Sequence, residues 1–316
     1  MRIDPHVHCR DGREAYKETI EHVLRLCDEQ GVDLVFDMPN TDPPLLTGRD
    51  LEARLALVPE SGRSRYRVYL GATADEAQLR EAAALAVECP HVAGLKLYAG
   101  PSTGPLAVGR EDDQRAVYAQ LAAAGYRGVL AVHAEKESAF VRCFDPARPA
   151  THSRARPPQA ETASLADQLA FARAAGFEGT LHVCHVSTAG ALERIRAARA
   201  ERAVTCGVTP HHLLWTSARQ NGPEGLLYKV NPPLREPSDT VALRQALKAG
   251  DIDWIETDHA PHPVSEKLYP PYASGYPSLC LYRALVEEFL PYWGLSSARI
   301  EAVTGEAARR VFAGKC

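Results

Sequence analysis

Eight short runs of β-branched and other apolar residues recur along this 316-residue chain, most of them separated by stretches with helical spacing. The first lies before His6, and the others are Val32 to Met38, Tyr66 to Ala72, Val92 to Tyr98, Gly128 to His133, Thr180 to Val186, Ala203 to Val208 and Ile252 to Thr257. The helical stretches are Glu14 to Glu29, Asp75 to Glu88, Asp112 to Ala124, Glu161 to Ala175, Thr188 to Ala200 and Ser238 to Ala249. Strands joined through helices pair in parallel, and eight such units predict an α/β fold closed into a (β/α)8 TIM barrel. At ~150 residues per domain the length suggests about two domains, but barrels of roughly 250 residues and more form one unit. No linker, repeat or low-complexity tract cuts the chain, so residues 1–316 are read as one barrel domain. Its richest loop, Phe144 to Ala160, is expected between the fifth strand and its helix.

Polar residues that could carry chemistry stand at the ends of these runs. In Asp4-Pro5-His6-Val7-His8-Cys9-Arg10, the strand period of two aims His6 and His8 the same way, with a guanidinium two residues beyond. Neutral imidazole is a common ligand for zinc and its neighbours. Lys96, His133, His185 and Asp258 each follow or close a later run. In a (β/α)8 barrel the C-terminal strand ends are where active sites form, so the fold and the polar residues point to one place.

Composition narrows the partners. A net charge of −4 with no basic block gives no case for nucleic acid, so an anionic small molecule would be met by local groups. No run of ~18 apolar residues and no signal-like start occur, and the chain is expected to be cytoplasmic, with no membrane contact. The eight cysteines are scattered without CxxC spacing and read as reduced thiols, Cys9 and Cys184 as packing residues.

In order along the chain stand DPHVHCRDG, Met38-Pro39-Asn40-Thr41, GLKLY, VHAE, HVCHVST, Thr209-Pro210-His211-His212-Leu213, Lys229-Val230-Asn231-Pro232-Pro233-Leu234-Arg235, DHAPH and Gly275-Tyr276-Pro277. With these the chain resembles the dihydroorotases, cyclic amidases of the amidohydrolase superfamily. The resemblance implies reversible conversion between L-dihydroorotate and N-carbamoyl-L-aspartate in pyrimidine biosynthesis, through a hydroxide held between two divalent metal ions, expected to be zinc. It implies that His6, His8 and Asp258 hold one metal and His133 and His185 the other, with Lys96 bridging them as a CO2-derived carbamate. The flanking Leu95 and Leu97 make a charged ammonium costly, which suits a free amine reacting with CO2. Asp258 is the expected acid and base. Arg10, Asn40 and His262 are the expected carboxylate contacts, and Asn231 the contact to the ring.

Further expectations follow. Ala99 to Arg110 reads as a lid, in which Ser102 or Thr103 would reach the substrate. Ser278 stands where a second glycine is expected and would narrow the site or leave it unchanged. Strand one begins almost at Met1 and the chain stops soon after Arg310, which leaves no room for the accessory β-sandwich of many relatives. His182, His211, His212 and His259 are set aside as ligands, and His22, His91 and His152 read as surface or loop residues. An allantoinase or hydantoinase is the alternative activity. A catalytically silent scaffold for aspartate transcarbamoylase is the alternative class. A homodimer and an association with aspartate transcarbamoylase are left open.

Overall fold

The computed structural model of the chain describes residues 1–102 and 104–316. Its strands are β1 (Ile3–Val7), β2 (Leu34–Asp37), β3 (Tyr66–Gly71), β4 (Val92–Tyr98), β5 (Val129–His133), β6 (Thr180–Val183), β7 (Val204–Val208) and β8 (Trp254–Ile255). They pair in parallel, in sequence order, from β1 to β8. Residues beyond β8 close the seam against β1: Asp258 N donates to His6 O at 2.9 Å and His8 N to His259 O at 2.8 Å. The expected (β/α)8 barrel is therefore the observed one.

Around it run α1 (Ile20–Gln30), α2 (Gly48–Ala56), α3 (Glu76–Glu88), α4 (Glu111–Ala123), the short α5 (Thr151–Ala155), α6 (Pro158–Ala174), α7 (Ala189–Ala198), the short α8 (Pro210–Leu214), α9 (Pro237–Ala249) and α10 (Val264–Leu268). Helical segments over residues 282–292 and 297–311 complete the outer ring. No helix among the described residues is long and apolar enough to cross a membrane.

Side-chain alternation sorts each strand into two faces. Val35, Leu95, Leu97, Leu130, Val132, Leu181, Val183 and Ile255 face outward into one continuous core with the helices. Leu34, Phe36, Tyr69, Val129, Ala131 and Trp254 face inward and form a separate cluster with Ala308 and Phe312 from the C-terminal segment. The same alternation turns His6, Lys96, His133 and Glu256 into the barrel.

Helix boundaries follow capping chemistry. The first helix, expected from Glu14, starts at Ile20, because the Thr19 side chain accepts from His22 N and residues 12–14 form a separate tight turn. Helix α2, which apolar periodicity did not reveal, is opened by a capping box between Thr47 and Asp50. Strand β8 is shorter than the expected Ile252 to Thr257, because Thr257 gives its N–H and hydroxyl to the Asp4 carboxylate instead of continuing the ladder.

Candidate active site

One pocket at the C-terminal strand ends is lined by His6, His8, Arg10, Asn40, Lys96, Tyr98, Ser102, His133, His185, Asn231, Asp258 and Gly275, among others. His6 Nε2 and His8 Nε2 lie 3.3 and 3.0 Å from Asp258 Oδ1. Facing donor atoms of these three residues fall within 4.8 Å of one another, the compass of a single cation. His133 Nδ1 and His185 Nε2 face each other at 3.1 Å, and the His185 ring is 5.3 Å from that of His6. Burial lowers His8 to about 4 and holds His185 well below its ordinary value, so both present lone pairs.

Lys96 is 1% exposed, and its Nζ has no carboxylate partner among the described residues; it donates to Cys184 Sγ at 3.0 Å. A buried amine with no carboxylate beside it is costly as it stands. His6 Nδ1 and His185 Nδ1 are also buried without a hydrogen bond, with Glu256 3.8 Å from the former. The donor set therefore fits two divalent ions, one at His6, His8 and Asp258 and one at His133 and His185, with Lys96 in the same pocket.

The backbone is strained where it delivers these groups. Arg10, His185 and Asp258 have φ of 53°, 38° and 48°, a region that side-chain-bearing residues rarely adopt. Such conformations cost on the order of 1–3 kcal/mol each and persist where the surroundings enforce them. At His185 the enforcing contact is its N–H, which donates to Glu256 Oε1 at 2.5 Å.

Glu256 and Glu135 had no role in the sequence reading. Glu256 also accepts from His182 Nε2 and Trp254 Nε1, each at 3.0 Å, and lies 3.8 Å from His6 Nδ1. Its space exists because residue 207 is glycine: a Cβ there would fall 2.3 Å from the Glu256 carboxyl carbon. The available signal was the Glu256-x-Asp258 spacing at a strand end, the same period of two as His6-x-His8. With His6 and Cys184 it forms a second trio of donors within 4.8 Å. Cys184, expected to serve in packing, thus contacts Lys96 as well, whereas Cys9 is a core residue as expected. Glu135 lies 3.1 Å from His133 Nε2 and pairs with Arg156 at 2.6 Å, the carboxylate support that metal-binding histidines usually have. Burial opposes the Glu135 charge, but the Arg156 guanidinium and His133 hold its carboxyl well below the usual range.

Arg10 is 2% exposed, and its Nε and Nη1 have no hydrogen-bond partner. Its Nη2 donates to His262 Nε2 at 3.2 Å, and His262 Nδ1 donates to Glu266 Oε2 at 2.8 Å. Burial and the Arg10 charge push His262 down to about 3, so it stays a neutral link from Arg10 to Glu266. Tyr16 and Lys17 brace Glu266 from outside at 2.6 and 3.3 Å. From the core side, Arg54 holds the carbonyl of Arg10 at 2.5 Å while paired with Asp37. His262 is thus a support behind Arg10, and a planar cation with open nitrogens faces the pocket, which suits a carboxylate.

Asn40 Oδ1 accepts from His8 Nδ1 at 2.8 Å, which turns the other His8 nitrogen toward Asp258. Asn231 reaches the pocket from the far rim, with Gly275 beside it. Gly275 has φ of 147°, and a Cβ there would lie 2.3 Å from Ala260 O. Ser102 lines the pocket; Thr103 lies outside the described residues. The segment expected to be a lid is tied at both ends, by Arg156 Nη2 to Pro101 O at 2.7 Å and Val108 N to Tyr98 O at 2.8 Å. Ser278 is buried beneath the site, where it bonds His211 Nδ1 at 3.1 Å. His182, His212 and His259 bond Thr205, Thr209 and Glu18, as their exclusion from the ligand set implied. His152 corrects an expectation: it is 4% exposed and bonds Asn231, because the proline-rich loop folds inward over the rim.

The chain is 34% identical over 281 residues to dihydroorotase from Staphylococcus aureus strain Mu50, covering 85% of this chain and 62% of that protein. It is 32% identical over 307 residues to dihydroorotase from Aeropyrum pernix, covering 96% of this chain and 65% of that one. The chain thus spans a little under two thirds of the length of these curated relatives. Among solved structures, L-hydantoinase (dihydropyrimidinase) from Arthrobacter aurescens superposes with a TM-score of 0.80 at 23% identity, over 98% of this chain and 70% of that one. Dihydroorotase from Campylobacter jejuni superposes with a TM-score of 0.74 at 19% identity, over 98% and 82%. No protein-family model matches the chain.

Proposed function

Starting from a chain homologous to the dihydroorotases over most of its length, we propose that it interconverts L-dihydroorotate and N-carbamoyl-L-aspartate as a metal-dependent cyclic amidase. The observation that carries this reading is the Arg10 guanidinium, buried in the pocket of the metal donors with two nitrogens unpartnered. A ring substrate bearing a carboxylate satisfies it. A cyclic amide without that group leaves it buried and unpaired, at a cost of several kcal/mol.

His6, His8 and Asp258 would hold one divalent ion and His133 and His185 the other, zinc by preference, with Lys96 joining them as a carbamate. Such a pair, when bound, polarises the amide carbonyl and makes water a nucleophile at neutral pH. The residues of the chain do the rest. Arg10, braced by His262, seats the carboxylate, and Asn231 donates to the ring edge. Asp258 takes a proton from the attacking water on a carboxylate oxygen and delivers it to the departing ring nitrogen; ring closure reverses the transfer.

The test is hydrolysis of dihydroorotate by the purified chain, with hydantoin and allantoin alongside and metal measured on the same sample. Turnover of dihydroorotate alone, with two metals per chain, is expected. Preference for hydantoin or allantoin would move the activity to another cyclic amidase, and metal-replete protein inert to all three would refute the enzymatic reading.

A further inference from the structure

Asn231 is held in one orientation by a residue outside the pocket. His152, on α5, points Nε2 at two oxygens at once: the carbonyl of Val230 at 3.0 Å and Asn231 Oδ1 at 2.9 Å. A backbone carbonyl only accepts, so the His152 proton must sit on Nε2. The amide atom that shares this proton must then be the oxygen, and the Asn231 nitrogen is turned away from His152. It has no protein partner among the described residues, and Asn231 lines the pocket.

The histidine has little freedom. It is 4% exposed and its ring meets Phe144 edge to face, with centroids 5.6 Å apart. Flipping the asparagine would set an amide N–H2 against the His152 N–H, two donors in a buried contact with no acceptor between them.

We infer that His152 is a positioning residue which, by fixing the Asn231 amide, makes this edge of the pocket a hydrogen-bond donor and so selects ligands that present a carbonyl there. The inference rests on the proposed contact of Asn231 with the ring of the substrate. An asparagine free to turn would accept a ring N–H or donate to a ring carbonyl equally well; the clamped one only donates. The ring is then held in a single orientation, with an oxygen toward Asn231.

Two variants separate positioning from simple support. H152F keeps an aromatic ring against Phe144 but removes the donor, and H152Q restores a donor. H152F is expected to raise KM for dihydroorotate about ten- to a hundredfold, the worth of one buried hydrogen bond left unmade, with kcat changed far less. H152Q should recover most of the loss. In an N231A background H152F should change KM little, since the group it positions is gone. An equal loss in both backgrounds, or an H152Q variant as poor as H152F, would overturn the inference.

A second readout does not depend on turnover. With 15N-labelled histidine, the His152 signal, assigned by its absence in H152F, should show the Nε2-protonated neutral ring across pH 6–8 (about the neutral range). A proton on Nδ1 would refute the clamp. If the wild-type chain fails to turn over dihydroorotate, the substrate reading falls at that point, and the nitrogen spectrum still decides whether His152 holds the amide.

Discussion

Two residues before Glu256 in β8 stands Trp254, and Tyr69 of β3 pairs with Gly94, two residues before Lys96. One inward layer below the candidate ligands, the barrel is therefore filled by hydrocarbon. Trp254, Phe36 and Tyr69 close around Phe312, whose ring meets theirs at centroid distances of 5.7, 4.9 and 6.3 Å. The layer above differs in kind, although the Tyr69 hydroxyl below is also buried without a hydrogen bond. It is polar and holds buried atoms without partners, and the backbone there departs from favoured geometry at Arg10, His185 and Asp258. One barrel carries both layers, the lower closed by Phe312 from the C-terminal segment and the upper completed by residues just past the strand ends. The division of work follows: the lower layer holds the cylinder rigid, and that rigidity keeps the upper one in an arrangement it would not adopt alone.

Asp258→Ala should separate the layers most sharply. It removes the expected proton carrier, and kcat should fall roughly a hundred- to ten-thousandfold while His133 and His185 still retain metal. Steady-state kinetics with metal analysis on one sample checks both halves; an active variant would take the proton transfer away from Asp258.

Phe312→Ala is the converse. Emptying the plug should cost about 3–5 kcal/mol in denaturant unfolding, with near-normal kcat in the protein that remains folded. A fall in kcat as large as that of Asp258→Ala would mean that the two layers are not separable.

Arg10→Ala sharpens the division within the upper layer. A charge-assisted hydrogen bond is worth about 1.5–3 kcal/mol, so KM for dihydroorotate should rise by roughly ten- to a hundredfold or more. Metal content should not change, because Arg10 contacts none of the candidate ligands in the hydrogen bonds it makes. An unchanged KM would remove Arg10 from carboxylate recognition.

An effect confined to stability, with no change expected in catalysis, lies at the rim, where Lys267 Nζ donates to the carbonyls of Lys229, Ala273 and Gly275 at 3.1, 3.2 and 2.5 Å. Burial and the nearby Lys229 charge lower it to about 7, whereas an unfolded lysine keeps its proton to about pH 10.4. Between those values the unfolded chain binds more protons than the folded one, so this group adds stability as pH rises from about 7 toward 10. Wild type should gain on Lys267→Met over that window in paired unfolding curves; parallel curves would mean that Lys267 keeps its proton throughout.

The chain order of strands and helices, and the placing of His6, Lys96, His133, His185 and Asp258 at one end of the barrel, were legible in the sequence because they depend on local periodicity. A period of two sorts the faces of a strand, helices between strands impose parallel pairing, and both rules act over a few residues. Motif order added Arg10, Asn40 and Asn231. Glu256, Glu135 and His152 were not legible in the same way. Their working contacts reach His185, Arg156 and Asn231, across 71, 21 and 79 positions. His152 lies in a proline-rich stretch that reads as exposed loop and is buried only because that stretch folds over the rim.

By itself the sequence determined the barrel and the chemical kinds of side chain at its mouth, since alternation and motif are properties of neighbours along the chain. The tertiary structure alone decided which nitrogen each histidine turns inward, which way the two asparagine amides face, and that Gly207 leaves space for the Glu256 carboxylate. Those choices come from hydrogen-bond partners that must be satisfied in a buried space, and such partners exist only once distant strands have closed around them.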